Sequence, residues 1–325
     1  MHGGRPFLIF PAGLWLANGA QALGVAAWIA LDPRLSISGS GLAPVLFLVV
    51  ACVGLCALIC ILEVRRGASS ETVARFRVAA MGAVFMVTAF LGIRFYNHLT
   101  MSLALPLADD TLDALDKALG LDWYGYALWF AEFKPWHSII RLPYAHTTQS
   151  VAVIFVLLVL FGGREKAVEF GALLFLGALI AVSVAAFFPA EAAMVRYMDA
   201  QLLSIYGTNT GVYHMDAFTA LRSFTPVTLD FSNLPGLATF PSFHTITGLL
   251  IVYACRGAAI PLALACLWTG AMLLGTPVYG GHYFVDIFAG AAVTAALIAA
   301  SRYLQRRRQA SAFDYNRSRT SEARL

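Results

Sequence analysis

Long apolar runs, broken by arginine, lysine and short polar connections, divide this chain of 325 residues. Each run approaches the ~20 residues that a helix needs to cross a hydrocarbon layer of about 30 Å. The pattern predicts eight transmembrane helices, at 8–30, 42–62, 78–98, 147–162, 167–188, 243–256, 260–276 and 283–301. The fold class expected is all-α, a polytopic helical bundle. The run after Arg5 extends to Leu31, too long for a signal-peptide core, and is read as the first span. The organisation expected is N-terminal helices over 1–100, a membrane domain over 101–304, and a polar, basic, disordered tail over 305–325. No internal repeat is evident, which weighs against a secondary transporter.

Charge orients these helices. Arg65, Arg66, Arg75 and Arg77 share one connection, Arg164 and Lys166 another, and Arg256 marks a third. Arg302, Arg306, Arg307 and Arg308 follow the last span. An even number of spans puts all of them on one side, with both termini cytoplasmic. Three loops, about 32–41, 99–146 and 189–240, then lie outside. Within the second, 111–119 and 123–133 are mildly amphipathic and aromatic, as expected of segments lying in the interface around a lipid entrance.

Composition agrees: the chain is 59% hydrophobic and 12% charged, with a mean hydropathy of +0.73. Soluble domains hold about twice that share of charge. The net charge of +4 sits at helix ends and reads as topology, not as a nucleic-acid surface. Of five cysteines, Cys52, Cys56 and Cys60 stand four apart on one helix face without a nearby histidine, a spacing read as helix packing rather than a metal site. The alanine- and arginine-rich composition points to a bacterial inner membrane, with the outer face periplasmic.

Two histidines change the picture. His244 follows Phe240-Pro241-Ser242-Phe243 at the start of one apolar run, and His282 opens Gly281-His282-Tyr283-Phe284-Val285-Asp286 at the start of the last. Both fall at the outer boundary. His282 and Asp286 are spaced i,i+4, so on a helix they can touch. A carboxylate on one imidazole nitrogen fixes the tautomer and raises the basicity of the other, which can then attack phosphorus. His244 can protonate the leaving oxygen as a general acid. Pro241 and Ser242 read as a helix start, whose amides and dipole favour a phosphate oxygen.

Pro241-Ser242-Phe243-His244 and the later His282–Asp286 motif resemble the type-2 phosphatidic acid phosphatase superfamily. The wording Phe-Pro-Ser-x-His-Thr and Gly-His-Tyr-x-x-Asp is similar to its inositol phosphorylceramide synthase branch, also known for aureobasidin resistance. The resemblance covers about 134–290 and implies a six-helix core carrying extra N-terminal helices. It makes His282 the nucleophile, Asp286 its orienter and His244 the acid, with no metal and no cofactor. It implies membrane lipids as substrates, with neither nucleic acid nor an obligatory protein partner. Lys134 and Arg141 have the spacing of the family's first motif, but Leu142 follows and Pro143 comes one residue late. The family's Ser-Arg before the last motif is replaced by Gly275 and Thr276. The phosphate-binding set expected is Lys134, Arg141, Ser242, Thr276 and Gly281, with His146 a further candidate for the same cavity.

The favoured reading is transfer of a headgroup phosphate through phosphohistidine to a lipid alcohol such as ceramide or diacylglycerol. A lipid phosphate phosphatase acting on phosphatidic acid or a polyprenyl phosphate is the alternative, and a channel or transporter with a His/Asp cluster is a third reading. Arg94, near the outer end of the third span, reads as snorkelling to headgroups or binding a lipid phosphate. His214, Arg196 and Arg222 read as solvated loop residues, with headgroup contact as the alternative.

Overall fold

The computed structural model describes residues 10–39, 42–66 and 71–322. Three N-terminal helices come first: α1 (Ala12–Leu31), α2 (Leu42–Arg66) and α3 (Glu71–Met101). α4 (Asp109–Ala118) and α5 (Trp123–Ala131) fill the connection after α3, and a 3-10 turn, Lys134–Trp136, leads into α6 (His137–Ala145). α7 (Thr147–Leu157) closes in a π-turn, Leu158–Gly162, before α8 (Arg164–Phe187). The short helices α9 (Ala193–Tyr197), α10 (Ala200–Tyr206) and α11 (Met215–Arg222) lie in the connection that follows α8. The chain ends with α12 (Phe243–Ala254), α13 (Ala259–Tyr279) and α14 (Phe284–Glu322). The protein is a polytopic α-helical membrane protein, with a helix at each of the eight predicted positions.

By length and composition five described helices can cross a membrane alone, and up to six if a bent pair counts as one span. That pair, Lys134–Ala145 and Thr147–Gly162, bends by 61°. Pro143 lies inside α6, and the break falls at His146 between α6 and α7. α12 has 12 residues and reaches only about 18 Å, because it starts at a cap sunk inside the protein. α14 runs as helix to Glu322, through the tail expected to be disordered; neither glycine nor proline interrupts it after Gly290. The side chains of Cys52, Cys56 and Cys60 lie outside the described residues.

The core sits where α3, α8 and α12 meet. Phe85 of α3 stacks on Phe10 at 4.1 Å and meets Phe175 of α8 edge-on at 5.5 Å. Gly177 lets α8 approach α12 so closely that an added Cβ would stand 2.7 Å from Ile246. Small residues at such crossings bring backbones together where hydrophobicity alone cannot drive helix association. At one end of the bundle Glu169 gathers Arg256 (2.5 Å), Tyr253 (3.0 Å) and Ser301 (2.8 Å), and Lys166 reaches the Arg256 carbonyl.

In the connections after α1 and after α11 the chain departs from the all-α pattern. β1 (Leu35–Ser38) pairs in parallel with β2 (Val227–Asp230), Leu35 opposite Val227 and Ser38 opposite Asp230. Beneath them Leu229, Leu234 and Leu237 pack with Phe95 and Leu99 of α3 and with Phe218 and Leu221 of α11. This cluster joins the N-terminal helices to the segment that leads into His244.

Candidate active site

The loop between α13 and α14 holds His282 by its backbone. Gly281 has φ +68°, and a Cβ there would stand 2.6 Å from the Gly211 carbonyl, so glycine alone fits without strain. The Gly281 carbonyl accepts the Ala193 amide at 2.6 Å, and the Trp123 indole N–H donates to the His282 carbonyl at 2.9 Å. His282 Nδ1 then lies 3.0 Å from Asp286 Oδ2, which also accepts the Tyr283 amide at 3.1 Å. Both side chains are buried. A carboxylate oxygen can only accept, so the proton sits on Nδ1 and Nε2 keeps its lone pair. Burial pushes the His282 imidazole down to about 4, against the pull of a hydrogen bond to the Thr239 backbone.

Ser242 builds the other half. It is the N-cap of α12, its hydroxyl accepting the Thr245 amide, and its own amide donates to the Asp286 carbonyl at 2.9 Å. Pro241 precedes the cap instead of lying in the first turn. The two motifs are therefore joined backbone to backbone. The His244 ring stacks on Tyr144 of α6 at 4.0 Å and stands edge-on to His282, with 6.2 Å between ring centroids.

Both histidines border one cavity of about 770 Å³. Phe90, Ile93, Ala178 and Val182 make an apolar side, while Thr208, Asn209 and Thr210 make a polar one. Of the expected phosphate-binding set, Arg141 borders this cavity. Lys134 is exposed in its 3-10 turn and is not on the cavity wall. Ser242 and Thr276 are buried and spend their hydroxyls on capping and on the Met272 carbonyl; with Gly281 they shape the site without lining the cavity. His146 is exposed, bonded to the Leu142 carbonyl and off the cavity wall.

Other residues arrive that the sequence left as loop or surface. His214 is buried on the cavity wall, its Nε2 on the Glu191 carbonyl at 2.9 Å, and burial holds its imidazole below the ordinary value. Arg196 pairs with Asp110 at 2.7 Å and Asp113 at 3.3 Å, and Arg222 donates to the Leu105 carbonyl. Arg94 borders the cavity.

α4 reverses the expected arrangement. Its acids Asp109, Asp113 and Asp116 turn inward, while Leu115 and Leu119 are exposed. Asp116 accepts the Phe284 and Val285 amides, both at 2.8 Å, and so caps α14 from another helix. Asp109 takes the Tyr283 hydroxyl at 3.0 Å and the amides of Glu191 and Ala192. Asp113 binds Tyr197 and Lys117. The amphipathic pattern disclosed a two-faced helix, but not that its buried face would carry three acids, Asp109, Asp113 and Asp116, beside Leu112. Among the described residues no three or more His, Cys, Asp or Glu side chains group to hold a metal ion.

No curated protein and no solved structure matches the chain. A family model described as PAP2 superfamily matches residues 110–300, from within α4 to well into α14, taking in both histidines and Asp286. The chain belongs to the PAP2 superfamily, whose membership supports a lipid phosphatase or phosphotransferase.

Proposed function

We propose that this protein moves a phosphate-bearing headgroup from a lipid donor to a lipid alcohol through a phosphohistidine on His282. The observation that carries the reading is the His282–Asp286 contact of 3.0 Å set across one cavity from His244. In the first step Nε2 of His282 attacks phosphorus and an N–P bond forms. The P–O bond to the leaving group breaks, and His244 gives that oxygen its proton. In the second step the acceptor hydroxyl oxygen attacks phosphorus and His244 takes the hydroxyl proton. The N–P bond breaks and His282 is restored. Asp286 holds the imidazole in its tautomer and stabilises the positive charge that the ring gains on attack.

Arg141 and the N-terminal amides of α12 supply the positive field for the phosphoryl oxygens. The cavity lining supports a lipid substrate, since an amphiphile meets both an apolar wall and a polar one. The apolar side also supports an alcohol as acceptor, because it keeps water from the intermediate. With water as acceptor the same groups make a lipid phosphate phosphatase. We place the cavity at the non-cytoplasmic face, opposite the connections rich in arginine and lysine.

The test uses purified protein in lipid micelles with a fluorescent phospholipid, with and without ceramide or diacylglycerol, and His282→Ala as the blank. A new phosphorylated acceptor lipid is expected. Release of phosphate or headgroup that ignores the acceptor makes the protein a hydrolase, and turnover surviving in His282→Ala removes the phosphohistidine.

A further inference from the structure

The cavity wall includes Phe90, Ile93, Arg94 and Asn97, spaced i, i+3, i+4 and i+7 on one face of α3. α3 ends at Met101, ahead of the segment 110–300 that the family covers. The face is held in register with the catalytic half at two points. The Phe90 ring packs on that of Phe243, the neighbour of His244, at 6.2 Å. The Asn97 side chain accepts the Leu237 amide at 3.1 Å. Arg94 lies between these anchors.

Among the described residues its guanidinium has no acidic partner, whereas Arg34, Arg196 and Arg256 are each paired with a carboxylate. A cation about two turns inside a membrane helix is costly unless an anion answers it. The other permanent cation on the cavity wall, Arg141, also lacks a carboxylate partner among the described residues. Asp286, the nearest acid to the histidines, is buried behind His282 and is not on that wall. Thr239 also lines this cavity, and its hydroxyl is buried without a hydrogen-bond partner among the described residues. Two guanidinium groups without a carboxylate partner thus line a space shared with both histidines, with an unpartnered hydroxyl beside it. That set fits the oxygens of a phosphate group.

We infer that Arg94 binds the substrate's phosphoryl oxygens together with Arg141, so that the N-terminal helices complete the active site. The inference rests on the phosphotransfer reading above. It gives α3 a part in substrate binding, beyond packing against α8. Thr276 is sealed in α13, and a Cβ on Gly275 would lie 2.7 Å from the Tyr279 ring, so that turn of α13 presents no cation to the cavity.

The test measures equilibrium binding of dioctanoyl phosphatidic acid to the full-length protein in a His282→Ala background, where turnover is absent. Arg94→Gln is expected to weaken binding about tenfold or more, and Arg94→Lys, which keeps charge without the fork, by less. Arg164→Gln, at the far end of α8, is expected to leave it unchanged. Binding by Arg94→Gln within twofold of its parent overturns the inference. Should Arg94→Gln fail to fold, Arg94→Lys decides, and undiminished binding by it has the same meaning. Steady-state turnover separates the two claims. If His282→Ala is inactive while Arg94→Gln binds normally, phosphotransfer stands and Arg94 falls. If His282→Ala turns over like wild type, the phosphohistidine reading falls, while the binding series still judges the anion site.

Discussion

His282 and His244 are asked for different chemistry, and their substitutions should differ in kind. We expect His282→Ala to lower kcat by roughly 10⁴-fold or more, since of the histidines on the wall it is the one hydrogen-bonded to a carboxylate. We expect His244→Ala to cost roughly 10²- to 10⁴-fold with an alkyl leaving group and much less with p-nitrophenol, which departs without a proton. Kinetics with both substrate types decide this, and equal losses on both remove the division of labour. Burial makes a second demand. His282 is held near 4 and His214 below its ordinary value, so both stay neutral in the folded protein where a free imidazole would be protonated. Stability from this source is complete above about pH 6.5 and is lost as pH falls from there toward 4, because the unfolded chain binds more protons. Thermal unfolding across that range should show it. The acid limb of kcat/KM should likewise lie below 6.5, where neutral Nε2 is still available. The histidines themselves were legible because Pro-Ser before one and an acid four residues after the other leave little bland use for them in a membrane. His214 was not, since nothing in its sequence neighbourhood marks it as buried.

At the scale of elements, a second helix holds the start of α14, and with it the proposed nucleophile His282, in place. Asp116→Ala removes both acceptors for the first amides of α14 and should cost about 1–3 kcal/mol of stability. Because His282 and Asp286 flank that helix start, kcat should fall more than KM rises. Circular dichroism melting and steady-state kinetics on one preparation check both effects, and an unchanged kcat with a lowered melting temperature leaves Asp116 a merely structural cap. Gly281→Ala combines a positive φ with a contact of 2.6 Å to backbone, and we expect it to lose both stability and activity. The helical bundle and the places of its apolar helices were legible because apolar runs of that length have few alternatives, but five or six of the described helices, not eight, are long and apolar enough to cross a membrane. The inward turn of α4 was not legible. Periodicity says which residues share a face, and in a membrane enzyme the polar face can be the buried one.

The whole molecule is tied together at the end of the bundle where β1 meets β2. Leu229 is buried among Phe95, Leu99 and Leu221, where strand β2, helix α3 and helix α11 meet. Leu229→Ala should cost about 2–5 kcal/mol, seen as a lower melting temperature, and should weaken lipid binding through α3 although it touches no histidine. An unchanged KM separates this cluster from the binding site. The pairing of β1 with β2 was invisible in the sequence, since two four-residue strands 192 positions apart carry no local sign of each other. It bears on how the protein is made. A ribosome feeds the membrane from the N-terminus, so β1 emerges and waits while five further membrane helices or half-helices are threaded. The strand edge, the α3 wall and both histidines come together only when the final helix has been inserted. On the proposed reading, an unfinished chain has no complete site with which to attack the lipids around it, and assembly itself acts as the safety catch on the chemistry.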